Sequence, residues 1–243
     1  MQIDFAWGLS GALAICEPHS IAVVHDILSF STTVEIAVQR GIEVLPYPSR
    51  SAGAADYAKQ QRASLAGSRQ QRESLTLSPS SIAGAAEPLP ARLVLPSPNG
   101  ATISAALADR GTEVFAACLR NSLATAEYLV GLNSPRVVSI AAGEYWPDGT
   151  YRPAIEDLIG AARLISALSS SRGSALTLSD AARLSLASLQ AVEEEIPAVI
   201  QRSPSGQELI ERGFMDDVEL ACQLDVSNVV THYRPSSSSF TAV

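Results

Sequence analysis

The chain is poor in charge, poor in cysteine and free of long apolar runs, and each absence removes a class of protein. Charged residues make up 17% of the 243, and the net charge of −8 is the wrong sign for a surface that binds nucleic acid. No run approaches the roughly 18 apolar residues of a membrane-spanning helix, so no membrane partner is expected. The first twenty residues carry Asp4 and Glu17 without a basic stretch, which argues against a secretory leader. Cys16, Cys118 and Cys222 are odd in number and far apart, and match neither a disulfide framework nor metal-site spacing. They read as small buried hydrophobes of a reducing compartment, with the cytoplasm as the expected location. A Gly-x-Ser-x-Gly nucleophile elbow is absent, as are the Walker A and Gly-x-Gly-x-x-Gly phosphate loops.

What is present suits a folded α/β protein. Hydrophobic residues reach 47% and mean hydropathy is +0.15, enough to bury an ample core in a single domain spanning 1–243. Short apolar runs at 21–24, 42–47, 91–95, 113–118 and 136–141 read as strands. Helical patterns separate them at 34–40, 52–61, 103–109, 123–130 and 153–168. This alternation predicts a layered α/β/α fold with a mostly parallel sheet and right-handed crossovers. The last third is more helical, over 179–190, 191–200 and 205–212, with a final strand at 228–231. Residues 63–90, rich in Ser, Ala, Gln, Arg and Pro, read as a long loop, and 235–243 as a loose tail.

In such a sheet, ligands gather where loops leave the carboxyl ends of the strands. The first such loop runs from His25-Asp26 through Ser29, Ser31, Thr32 and Thr33 into a helix that Gly41 closes. A helix N-terminus attracts anions, and an aspartate beside it is suited to hold a metal or attack phosphorus. The plain alternative is that Ser31 or Thr32 caps the helix and Asp26 shapes a turn. Asn99-Gly100 makes a tight turn whose amides can face a ligand, with Thr102 at the helix start after it. Arg120 is suited to pair with phosphate or sulfonate, and Asn121 to donate beside it. Alone, Asn99-Gly100 reads as an ordinary turn and Asn121 as an ordinary cap, and it is three such loops in one fold that point to a polyanion site. Acid comes from Glu144, Asp148 and Glu156-Asp157, the last pair in the first turn of a long helix. These either complement the helix dipole or join Asp26 around Mg²⁺. Asp216-Asp217 and Asp225 are further carboxylates for which a solvated surface is the ordinary setting.

The ordered set Asp26-Ile27-Leu28 with Ser31-Thr32-Thr33, Asn99-Gly100-Ala101-Thr102, Asn121-Ser122-Leu123-Ala124, Ala142-Gly143, Glu156-Asp157 and Asp217-Val218 resembles the 2-phosphosulfolactate phosphatase family. The resemblance runs from about residue 23 to 230. It implies an α/β sandwich acting as a Mg²⁺-dependent acid phosphatase that converts 2-phosphosulfolactate to 3-sulfolactate and phosphate, on a route to coenzyme M. It also implies Asp26, the hydroxyls after it, Asn99, Gly100, Asn121, Glu156 and Asp157 as site residues. The family pattern has Arg in place of Ser29 and Thr-Thr in place of Ser97-Pro98. Its Gly-Glu and Gly-Asn-Ser-Pro segments appear only as Gly67-Ser68 and Leu77-Ser78-Pro79-Ser80. Arg120 and Arg69 are the candidates to restore the positive charge. The expected partner is a small anionic phosphate ester. A phosphatase of different substrate, a non-catalytic phosphometabolite-binding protein on the same scaffold, and pairing of subunits into a homo-oligomer stay open as alternatives.

Overall fold

The run Ile-Ala-Val-Val-His offers no polar residue to face water until its end, so it is stable as a strand only where both faces are covered. In the computed structural model, which describes residues 1–48, 52–71, 74–172 and 176–243, every residue of this strand is buried. The strands are β1 (Gln2–Trp7), β2 (Ile21–His25), β3 (Glu43–Tyr47), β4 (Ser64–Leu65), β5 (Arg92–Pro96), β6 (Glu113–Ala116) and β7 (Arg136–Ala141). They continue with β8 (Glu144–Tyr145), β9 (Tyr151–Arg152), β10 (Thr177–Leu178), β11 (Thr231–Arg234) and β12 (Ser239–Ala242). Among the described residues, β8 and β9 form a small hairpin, and the others make one sheet in the order β10-β1-β7-β2-β6-β11-β12-β3-β5-β4. Pairing is parallel except where β11 and β12 insert antiparallel between β6 and β3.

The helices are α1 (Gly8–Ile15), α2 (Phe30–Gln39), α3 (Ala52–Gln60), α4 (Pro79–Ala83), α5 (Gly100–Ala108) and α6 (Ser122–Gly131). They continue with α7 (Ile155–Arg172), α8 (Asp180–Gln190), α9 (Ile196–Arg202), α10 (Pro204–Glu211) and α11 (Met215–Ala221). One face of the sheet is covered by α1, α2 and α5, where Ala12, Val34 and Ile103 pack with Val24 and Ile140. The other is covered by α6, α7 and α8, where Leu129, Leu164 and Leu168 pack with Val23 and Val137. The fold is therefore α/β/α. A third cluster sits beyond the strand ends, where Ile27, Cys118 and Leu119 are covered by Ile196, Ile200 and Val218 of the C-terminal helices.

Two adjacent strands, β2 and β7, send their chains opposite ways. The chain leaving β2 passes through α2 to β3 on one side of the sheet, and the chain leaving β7 passes through α7 to β10 on the other. In this class of fold such a reversal marks the carboxyl-end crevice where ligands usually bind.

Two segments expected to be irregular contain regular elements among the described residues, residues 72 and 73 lying outside them. Residues 63–90, read as a long loop, contribute β4 at the sheet edge and α4, which packs on α2 and α11 and buries Ile82 completely. The tail at 235–243 is not loose, because residues 239–242 form β12. Phe240 is fully buried and meets Phe30 and Tyr233 edge-on. One large aromatic side chain outweighs the four serines before it, since burying it stabilises by about 2–3 kcal/mol. The final strand starts at Thr231 rather than at Asn228. Cys16, Cys118 and Cys222 are free and buried. Among the described residues, no helix is long and apolar enough to cross a membrane.

Candidate active site

Asp26 is the first residue beyond β2, and its loop folds around its own polar groups. Ser31 Oγ donates to Val24 O at 2.9 Å and accepts from Asp26 N at 3.0 Å, which turns the chain sharply into α2. The Asp26 carboxylate is then fixed from two elements. Oδ1 accepts from Phe30 N at 3.0 Å, and Oδ2 accepts from Gly100 N at 2.9 Å and more distantly from Ser97 Oγ at 3.4 Å. Gly100 is required here, because a Cβ at that position would run into the Phe30 ring and lie 2.8 Å from Asp26 Oδ2. Burial first, and the negative charge of Glu144 after it, push the Asp26 carboxyl up to about 6 against the opposing pull of these amides.

Asp157, in the first turn of α7, ties the loops after β2 and β7 together. Its Oδ1 accepts from Ile27 N at 2.7 Å and its Oδ2 from Gly143 N at 2.9 Å. Gly143 has φ +71°, which aims this amide at the carboxylate, and any side chain there would strike Tyr151. Burial, then the charges of Asp26 and Glu156, raise the Asp157 carboxyl well above the usual range. Glu156, only 2% exposed, keeps Oε2 without a hydrogen-bond partner. Asn99 donates to Glu144 Oε1 at 3.0 Å, and its buried Oδ1 likewise has no partner. Glu144 therefore acts on Asp26, and Asp26 and Glu156 act on Asp157, so the charges felt by both aspartates are negative.

Other expected ligand groups turn inward. Thr32 Oγ1 donates to Ile27 O at 2.8 Å, and Thr33 Oγ1 to Leu77 O at 2.8 Å, so both hydroxyls brace the loops instead of facing a ligand. Thr102 makes only long contacts, 3.4 Å to Pro48 O and to Ser97 O. Arg120 does not present its guanidinium to the crevice. Its Nε donates to the fully buried Glu35 at 2.6 Å, and its Nη1 to Gln223. Asn121 is also consumed, accepting from Cys118 N at 2.9 Å and donating to Val229 O at 2.8 Å. The physical reason is the same throughout: buried polar groups must find partners, and these loops supply them locally.

Ser29 Oγ accepts from Arg69 Nη2 at 2.6 Å, so of the two candidate cations Arg69 is the one that reaches this loop. Its Nη1 pairs with Asp217 Oδ2 at 2.8 Å. Asp217 is fully buried, contrary to a surface setting, whereas Asp216 is exposed. Sequence reading missed Glu35 as the partner of Arg120. The signal was available: a glutamate inside the apolar stretch Val34-Glu35-Ile36-Ala37-Val38 must be paired to be buried. Asp148 is a turn residue bonded to Thr150, and Asp225 binds Leu123 N and Arg163. His25 is turned into the core beside Ser139, and burial lowers its pKa to about 3.

The donor set of the crevice is all oxygen, as a hard divalent cation prefers. Each oxygen of Asp26 and Asp157 that accepts one N–H retains a second lone pair, and the unpartnered oxygens of Glu156 and Asn99 add two more acceptors. Among the described residues, no three His, Cys, Asp or Glu side chains group closely enough to hold an ion by themselves. This chemistry fits Mg²⁺, which commonly takes one or two carboxylates and completes its shell with water and phosphate oxygens. No curated protein matches the chain. A family model described as 2-phosphosulpholactate phosphatase matches residues 13–236, a span that contains every residue of the crevice. With nearly its whole length covered, the chain belongs to the 2-phosphosulpholactate phosphatase family.

Proposed function

We propose that the protein is a Mg²⁺-dependent phosphoric monoester hydrolase acting on a small phosphorylated acid of the 2-phosphosulpholactate type. The observation that carries this reading is the convergence of Asp26, Glu156 and Asp157 at the switch point between β2 and β7, where burial and neighbouring negative charge raise the proton affinity of Asp26 and Asp157. Carboxylates assembled at such a cost, around acceptor oxygens left unpartnered, favour a cation. Asp26 with one of Asp157 or Glu156 would hold Mg²⁺, its shell completed by water and phosphate oxygens, and the bound ion would supply the positive charge that a phosphate ester needs in an acidic crevice and in its transition state.

The chain's own groups divide the remaining work. Asp26 keeps a constant orientation because two amides grip it, which suits either a nucleophile or a metal ligand. Asp157 holds the walls of the crevice at a fixed separation through Ile27 and Gly143. Glu156, with one free acceptor, is placed to orient or deprotonate a water. The inward-turned hydroxyls and the commitment of Arg120 to Glu35 favour a second reading, a phosphometabolite-binding protein without turnover.

A panel of small phosphate esters, sulfonated and carboxylated, assayed with and without Mg²⁺, separates the two. Phosphate release that requires Mg²⁺ supports the hydrolase. Binding of an ester without release from any member supports the second reading.

A further inference from the structure

Asp217 lies on α11, far along the chain from the crevice, yet it collects four donors. They are Arg69 Nη1 at 2.8 Å, Ser78 Oγ at 2.5 Å, Ser80 N at 3.0 Å and Ser80 Oγ at 2.6 Å. A fully buried carboxylate with this many donors is a fixed point. Arg69 spans from it to the site loop, and its other terminal nitrogen donates to Ser29 Oγ at 2.6 Å. A guanidinium is a rigid planar fork, so anchoring one nitrogen fixes where the other stands. The Phe214 ring, 5.5 Å from the guanidinium carbon, supports it from α11's side. Ser29 immediately precedes Phe30, whose amide holds Asp26 Oδ1 at 3.0 Å. Thr33 of α2 grips the same 63–90 segment through Leu77 O, so the connection cannot easily slide.

We propose that Arg69 and Asp217 are positioning residues for Asp26, acting through Ser29 and the Phe30 amide. This rests on the reading of Asp26 as a carboxylate that reacts or holds the metal. Neither residue touches substrate in this reading. They set the direction of a group that does, and a displacement of about 1 Å at a reacting group costs on the order of 100-fold in rate.

The test uses the full chain with Arg69→Met, Arg69→Lys and Asp217→Asn. Two quantities are measured: steady-state hydrolysis of a phosphate ester with Mg²⁺, and hydrogen exchange of single backbone amides. Arg69→Met is expected to lower kcat by about 10- to 100-fold with KM nearly unchanged. Exchange at Phe30 should accelerate while the β2 amides stay protected. Arg69→Lys should recover part of kcat, since an ammonium replaces only one arm of the fork, and Asp217→Asn should follow Arg69→Met. Should Arg69→Met lose protection throughout the sheet, Ser29→Ala leaves the Arg69–Asp217 pair in place and is read the same way. An unchanged kcat, or Phe30 exchange equal to that of the wild type, overturns the proposal. If the wild type hydrolyses no ester, the hydrolase reading falls, and Phe30 exchange alone decides whether the connection exists.

Discussion

At the scale of single residues, the crevice is defined by what its carboxylates lack. Asp26 is buried and faces the negative charge of Glu144, and two amides only partly relieve it. Its folded pKa of about 6 lies above the ordinary 3.8, so between these values the folded chain keeps a proton that the unfolded chain releases. The sign follows: without metal, this group's contribution to stability falls as pH rises from about 4 to about 6, and levels off above. Asp157 is raised for the same reasons and acts in the same direction. Denaturant unfolding of the wild type and of Asp26→Asn across this range checks it. The wild type should lose on the order of 1–3 kcal/mol relative to the variant. A gap that does not change with pH would mean that Asp26 titrates as an ordinary exposed carboxylate. In the presence of Mg²⁺, Asp26→Asn should also reduce phosphate release by at least about 1000-fold while the fold persists, as near-wild-type circular dichroism would show.

At the scale of elements, two contacts join parts of the sheet that sequence order keeps apart. The first is the N-terminus of α5 against Asp26. Gly100→Ala places a methyl group against Phe30 and Asp26 Oδ2, with an expected cost of about 1–3 kcal/mol from overpacking. Turnover should fall more than thermal stability suggests, because the displaced amide is one that orients Asp26. Wild-type turnover in Gly100→Ala would show that the Gly100 amide does not matter to the chemistry. The second contact is β12, which inserts Phe240 beside Phe30. Phe240→Ala should destabilise by about 3–5 kcal/mol in chemical denaturation, whereas a loose tail would show almost no change.

At the scale of the whole molecule, the proposed reading makes a cation at these carboxylates a ligand of the folded chain alone, so binding it would raise stability. Mg²⁺ at about 100 times its Kd should raise unfolding stability by roughly 2.7 kcal/mol, read as an upward shift of Tm. The shift should shrink as pH falls below about 6, where protons compete for Asp26. It should vanish in a variant carrying both Asp26→Asn and Glu156→Gln. An equal shift in that variant would place the ion elsewhere.

Much of the layered fold was legible because apolar runs and turn residues act locally. The strand Arg136–Ala141 falls where its apolar pattern puts it, and the helices at 52–60, 122–131 and 180–190 differ from expectation by at most a residue or two. The short helix Met215–Ala221 was not legible, since its seven residues carry only Val218 and Ala221 as buried apolar anchors, beside the buried Asp217. Nor was β12, whose single aromatic residue has meaning only beside Phe30. At the site, Asp26, Glu156 and Asp157 were legible as candidates, and the structure brings Asp26 and Asp157 near enough for their charges to interact, with Glu156 beside Asp157 in the chain. Arg120 and Asn121 have the right chemistry for an anion and the wrong surroundings.

By itself, the sequence determined that a parallel sheet would form and that acidic and hydroxyl-bearing loops would leave its carboxyl edge, because periodicity and turn chemistry are properties of neighbouring residues. Only the tertiary structure decided which of those groups stay available. Four strands separate β2 from β5 in the sheet, yet Gly100 grips Asp26, because α2 and α5 lie on the same face. Hydrogen-bond demand inside a packed crevice then spends Thr32, Thr33, Arg120 and Asn121 on the protein itself, and leaves the carboxylates to one another.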